Sequence, residues 1–252
     1  MKARIKFRKY GSLRFIGHLD VMRYFQKVMR RSEIPIAFTG GYSPHMIMSF
    51  AQPLGVGVTS DGEYLDIELT APVASERAVA KMNAVMAEGI EVLSFVQIPE
   101  EKKYSGMTIT AAADYRVTLL ESARSAEQTR RIPGILKAQA EHFLGQEEIK
   151  VWKATKRSEM EVDIKPMIYD MQVGDADIRL FLAAGSEHNL KPDLVMEAFL
   201  DFCGEEKGAY PFHFHRIDVY AKNPDAWADE KAAHVRGAGL VTLESLGKKI
   251  GE

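Results

Sequence analysis

Two histidines, His18 and His45, and a glycine-rich loop are the parts of this 252-residue chain best suited to chemistry on a phosphate-bearing ligand. An imidazole titrates near neutral pH, so either ring could serve as acid or base. The loop Gly40-Gly41-Tyr42-Ser43-Pro44-His45 combines flexible glycines, an aromatic ring able to stack on a base, and donors in Ser43 and His45 that suit phosphate. No carboxylate or nucleophile is fixed by spacing beside either histidine, so a hydrogen-bonded structural role competes with catalysis at both. Arg14 precedes His18, and Arg23, Lys27, Arg30 and Arg31 follow at i, i+4, i+7 and i+8, the spacing of one helix face. A second basic run, Lys153-Ala154-Thr155-Lys156-Arg157, leads to Lys165. It fits two strands paired around a turn that grips a phosphate backbone, and equally a solvated hairpin tip. His213 and His215 share a strand face without a third ligand at motif spacing, so no metal is expected. The sequence holds no phosphate-binding glycine loop, dinucleotide fingerprint, nucleophile elbow or metalloprotease helix.

Charge is distributed unevenly. Through Val58 there are ten basic residues (Lys2, Arg4, Lys6, Arg8, Lys9, Arg14, Arg23, Lys27, Arg30, Arg31) and two acidic ones (Asp20, Glu33), which gives +8. The whole chain carries −2, so the remainder carries −10. A basic end on an acidic body points to a polyanion or an acidic partner surface. The single cysteine, Cys203, allows no internal disulfide and no cysteine-ligated cluster, which favours a reducing, cytoplasmic setting. No apolar run reaches the roughly 20 residues that span a bilayer, and Met1–Arg8 lacks the apolar core of a signal peptide. No membrane is expected as a partner.

The elements that must position these residues can be read from periodicity. Ala3–Lys9 alternates as a strand, with Ile5 and Phe7 inward and Arg4, Lys6 and Arg8 forming a basic outer face. A helix is expected from about Leu19 to Glu33, with Leu19, Met22, Gln26 and Met29 on its apolar face, Phe25 beside it, and Pro35 as its stop. Strands at Ile36–Phe38, Met46–Ala51 and Glu63–Leu69 follow, then a helix over Ser75–Glu88 capped by Ser75, and a strand at Ile90–Ile98. The plan recurs after Pro99–Lys103: strand Ala113–Glu121, helix Ser125–Leu144, strands Ile149–Thr155, Met160–Met171 and Ala176–Ala183, helix Pro192–Cys203, strand Phe212–Tyr220. The expected fold is therefore α+β, with tandem ferredoxin-like (βαββαβ) domains and antiparallel sheets. Residues 1–99 form the first domain, with a basic face; 104–221 form the second, with an added strand; and 222–252 form a polar C-terminal tail.

Three stretches resemble a bacterial family of radical-SAM-linked proteins of unknown function. They are Gly11-Ser12-Leu13-Arg14-Phe15-Ile16-Gly17-His18-Leu19-Asp20-Val21-Met22-Arg23, then Gly41-Tyr42-Ser43-Pro44-His45 leading to Ser49-Phe50-Ala51-Gln52-Pro53-Leu54-Gly55-Val56-Gly57, and Glu63–Leu69. In the second half, Thr155-Lys156-Arg157, Glu161–Pro166 and Asn189–Asp193 are similar as well. The resemblance implies a companion of a radical SAM enzyme; this chain lacks a CxxxCxxC motif, so the partner would hold the cluster and the chain itself needs no cofactor. Tandem ferredoxin-like domains also resemble, more distantly, the CRISPR-repeat RNA endonucleases, from which the binding plan carries over and the cleavage does not. The expected function is a non-catalytic, RNA-binding companion (tRNA or rRNA, with no DNA expected), using Arg14, Arg23, Lys27, Arg30, Arg31, Tyr42, Ser43, His45, Lys153, Lys156, Arg157 and Lys165. The alternatives are a metal-independent RNA endonuclease using His18 or His45, and a protein–protein adaptor without RNA binding.

Overall fold

In the computed structural model, residues 1–120, 126–154, 159–206, 208, 210–222 and 240–251 are described. The fold is mixed α+β, with mostly antiparallel strands and five helices among the described residues. None of those helices is long and apolar enough to cross a membrane. The chain divides into two compact units, 1–112 with 216–252, and 113–215.

Unit 1 contains β1 (Lys2–Lys9), α1 (His18–Arg31), β2 (Met48–Phe50), β3 (Thr59–Glu68), α2 (Ser75–Asn83), β4 (Ile90–Ile98) and the single turn α3 (Gly106–Ile109). Strand β1 lies between β4 and β3, antiparallel to both, and β2 pairs antiparallel with Leu65–Ile67 of β3. Alternation along β1 sends Ala3, Ile5 and Phe7 into the core, where α1 covers them with Val21, Phe25, Val28 and Met29. Phe7, Phe25 and Phe50 meet edge to face, with centroids 4.8–6.1 Å apart. The apolar stripe of α1 is therefore rotated by one residue from the one expected: Leu19 is 67% exposed, and Val21 takes the inward place. The cap of α2 also differs. Ala74 is its N-cap, and the Ser75 hydroxyl instead accepts a hydrogen bond from the backbone N–H of Ile250.

The opposite face of β1 is not a solvated basic face. Arg4 is 1% exposed and bonds Asp66 through both Nε (2.7 Å) and Nη2 (2.9 Å), and it also donates to the carbonyls of Leu243 and Tyr104. Lys6 donates to Asp218 at 2.7 Å and lies 3.3 Å from Glu244, while Arg8 pairs with Glu91. Burial alone would lower the Lys6 ammonium, but the hydrogen bond and charge of Asp218, with Glu244, outweigh it and raise its pKa. The cause of this pairing is covering by two stretches of chain remote in sequence from β1. Residues near Tyr104 and the segment 240–251 lie over this face, and cations removed from water require counter-charges. The C-terminal residues expected to be a polar tail thus include β11 (Leu240–Thr242), paired with β10, and a fully buried Leu243.

The units meet in the chain within two strands, β5 (Thr110–Leu119) and β10 (Phe212–Lys222). Unit 2 contains α4 (Ala126–Gly145), the ribbon β6 (Lys150–Ala154) and β7 (Glu159–Asp163), then β8 (Ile168–Val173), β9 (Ile178–Ala183) and α5 (Pro192–Phe202). Strand β9 lies between β5 and β8. The strand expected over Met160–Met171 is two strands, because Pro166 sits in a 3-10 turn at Lys165–Met167 and cannot donate to a ladder.

Candidate nucleic-acid interface

Burying Val21, Phe25, Val28 and Met29 turns the opposite side of α1 to solvent. Arg23, Lys27, Arg30 and Arg31 all lie on that exposed side. Arg23 is 71% exposed, with its guanidinium 3.4 Å from Asp20. Lys27, Arg30 and Arg31 have no hydrogen bond or ion pair among the described residues. At 1.5 Å per residue, the four cations cover about 12 Å of helix, the axial length of roughly three to four phosphates of one duplex strand. Arg14 stands before the helix, with its guanidinium 4.7 Å from the exposed Phe15 ring and its carbonyl accepting from the backbone N–H of Gly57 at 2.8 Å.

The loop after Phe38 is closed by hydrogen bonds of its own. Thr39 N–H donates to the His45 carbonyl at 2.9 Å, His45 N–H donates to the Thr39 hydroxyl at 3.1 Å, and that hydroxyl lies 3.1 Å from His45 Nδ1. Gly41 takes a positive φ of 96°, a conformation that side-chain-bearing residues rarely adopt. The closed loop presents Tyr42, fully exposed, at its tip beside exposed Ser43. His45 thus pins the turn and holds Tyr42 out.

His18 occupies a different place. As the first residue of α1, it packs edge-on to Phe50 with centroids 5.0 Å apart. It also lines a small cavity with Lys9 and Glu63, walled by Phe7, Val21, Phe50, Pro53 and Leu54. Unit 1 therefore contains Arg14, His18, the α1 cations and the Tyr42 loop. Lys153 falls on β6 and Lys165 on the 3-10 turn of unit 2, where the Lys165 ammonium donates to the Gln146 carbonyl. Lys156 and Arg157 lie outside the described residues.

Sequence reasoning missed the charges beneath the start of α1. Arg216 is 1% exposed and grips both Glu63 oxygens, at 2.8 and 2.6 Å, while its Nη2 also donates to the Gln52 carbonyl at 2.7 Å. Lys9 is 2% exposed and donates to the carbonyls of Ile16 (3.2 Å) and Arg14 (3.4 Å). Burial lowers its pKa, Arg216 lowers it further, and Glu63 acts in the other direction. One signal was present: Lys9 shares the parity of Ile5 and Phe7, and Glu63 that of Leu65 and Ile67, so alternation alone put both charges on the core side. Close approach of β10 to β3 completes the cluster at Gly62, where a Cβ would lie 2.5 Å from the Asp218 Cα.

Residues 2–192 match the model of DUF2344, described as an uncharacterized protein conserved in bacteria. No curated protein matches the chain.

Proposed function

This chain belongs to the DUF2344 family of uncharacterized proteins conserved in bacteria, and from that premise we propose that it is a non-catalytic RNA-binding companion of a radical SAM enzyme. The observation that carries RNA binding is the contrast between two sets of cations in unit 1. Arg4, Lys6 and Arg8 of β1 are matched by Asp66, Asp218 with Glu244, and Glu91. Lys27, Arg30 and Arg31 of α1 stand in solvent without a carboxylate among the described residues, in line with Arg23. Exposed, unneutralised cations in a row suit a sugar–phosphate strand, and the fully exposed Tyr42 ring adds a stacking platform. Single-stranded RNA fits such a pairing better than a regular duplex, whose bases are already stacked.

The companion role rests on the resemblance of Gly11–Arg23 and Gly41–Gly57 to radical-SAM-linked proteins, and on a single cysteine that leaves the cluster to the partner. The element order of unit 1, with β4-β1-β3-β2 as neighbours, supports a ferredoxin-like plan for the binding platform. A fluorescence-anisotropy titration of the full chain with a single-stranded RNA oligonucleotide at low salt tests the binding. Saturable binding is expected, and loss of it in the Arg23→Gln/Lys27→Gln/Arg30→Gln variant. Absence of binding, or an unchanged affinity in the variant, rejects RNA as the ligand. Co-purification of an iron–sulfur partner that survives nuclease treatment while RNA affinity is undetectable would instead identify an adaptor.

A further inference from the structure

Tyr42 is not the only aromatic ring that unit 1 leaves in water. Among the described residues of that unit, Phe15 is 60% exposed and Phe38 is 50% exposed. A phenyl ring has no polar tip to hydrogen-bond water, so leaving it exposed is unfavourable unless a partner covers it. Single exposed apolar residues are common on protein surfaces. These two differ in how firmly the backbone beside each is held.

Phe15 ends the 3-10 turn Gly11–Phe15, three residues before the start of α1. The buried Lys9 ammonium donates to the carbonyls on either side of it, Arg14 at 3.4 Å and Ile16 at 3.2 Å. The Arg14 carbonyl also accepts from the Gly57 N–H at 2.8 Å, and the Ile16 N–H donates to the Leu13 carbonyl at 3.2 Å. Lys9 is thus a staple that fixes the chain around Phe15 while the ring stays outside. The Arg14 guanidinium lies 4.7 Å from that ring, so the platform carries its own cation.

Phe38 stands at the other end of α1. Past Arg31 the chain turns back, with the Ile34 N–H on the Met29 carbonyl at 3.2 Å. Ile36 is then bridged to Leu69, and Phe38 to Met46. Ile36, Met46 and Leu69 are buried in the cluster that α1 covers, and residues directly opposite in an antiparallel pair project to one face. Phe38 therefore projects on the α1 side of the sheet. The Thr39 N–H on the His45 carbonyl and the Ile47 N–H on the Ala37 carbonyl, both at 2.9 Å, hold its backbone.

Between the two rings the chain forms α1, about 21 Å long, with Arg23, Lys27, Arg30 and Arg31 on its exposed side. A cation row bounded at each end by a firmly held ring offers charge to a backbone and flat apolar faces to unstacked bases. A duplex has no free base faces to give either ring.

We propose that Phe15 and Phe38 are base-stacking residues of the RNA face, so that its ligand has unstacked bases at both ends of its contact with α1. The proposal rests on the RNA-binding reading and deepens it, assigning two further binding residues and requiring a single-stranded loop or end that spans the helix.

Anisotropy titrations of the full chain separate stacking from charge when a single-stranded RNA oligonucleotide is compared with an abasic ribose–phosphate strand of equal length. Phe15→Ala and Phe38→Ala each weaken RNA binding by about 5- to 150-fold, whereas Phe15→Tyr and Phe38→Tyr retain it. On the abasic strand both alanine variants bind as the parent does. The slope of log affinity against log salt stays at the parent value, because the phosphate contacts are untouched. Tm also holds, since both rings lie on the surface. Failure of the parent chain to bind RNA rejects the RNA reading and this proposal with it. With parent binding intact, undiminished RNA affinity in either alanine variant overturns the stacking proposal alone and returns that ring to a protein contact. An equal loss on the abasic strand, or in the tyrosine variants, overturns it as well.

Discussion

Asp66→Asn probes the division of labour among the cations of the first quarter of the chain. Arg4 is 1% exposed and depends on Asp66 for its only counter-charge among the described residues, through two hydrogen bonds of 2.7 and 2.9 Å. The same carboxylate accepts from the Gly106 N–H at 2.7 Å, which anchors α3. The amide of asparagine keeps nearly the same shape but removes the charge and turns a donor toward Arg4. Breaking one side of a buried pair costs about 3–5 kcal/mol, because the remaining charge stays buried. Unit 1 has 149 residues (112 plus 37), so about 2–4 °C per kcal/mol converts this into a fall in Tm of about 6–20 °C. Calorimetry on the full chain measures it. Replacing both partners, Arg4→Met with Asp66→Leu, recovers more than half of the loss. RNA affinity, measured well below the lowered Tm, stays unchanged in the single variant. A shift below about 2 °C, or an RNA defect without a stability defect, would refute a purely structural role for the β1 cations.

Further outcomes follow from the same geometry. Gly62→Ala places a methyl 2.5 Å from the Asp218 Cα, a backbone atom that cannot yield, so denaturant unfolding should show a loss of about 1–3 kcal/mol or more. Tyr42→Ala removes the exposed ring without touching the Thr39–His45 hydrogen bonds, so RNA binding weakens by about 1–3 kcal/mol while Tm holds. Lys6, with its pKa raised in the fold, contributes stability that is complete below the ordinary lysine value of about 10.4 and is lost as pH rises through the higher folded value. The stability difference between wild type and Lys6→Met should therefore shrink in that alkaline window; a difference that stays constant across it contradicts the pairing with Asp218.

Local pattern was enough where one strand or one helix decided the outcome. Alternation placed Ile5 and Phe7 inward, and the i, i+4, i+7, i+8 spacing placed Arg23, Lys27, Arg30 and Arg31 on one exposed face of α1. It failed where a remote segment intervened. The outer side of β1 looked solvated because the residues that cover it, Tyr104, Leu243 and Glu244, lie 100 or more positions away from Arg4 or Lys6. Arg216 and Glu63 are 153 residues apart, so no window of sequence contains their pairing. Leu19 was misplaced for another reason: a helix that starts at His18 rather than Leu19 and buries Val21 leaves Leu19 pointing outward. Pro166 was legible as a break, and Lys165–Met167 shows that it should have divided the strand.

The salt dependence of RNA binding tests the central claim most directly. Four phosphate contacts from Arg23, Lys27, Arg30 and Arg31 predict a slope of log Kobs against log salt of about −3 on single-stranded RNA, and about a 50-fold loss of affinity between 50 and 200 mM. Arg23→Gln/Lys27→Gln/Arg30→Gln should reduce that slope to about −1. A wild-type slope near zero, or the same slope in both proteins, would contradict an RNA-binding face on α1.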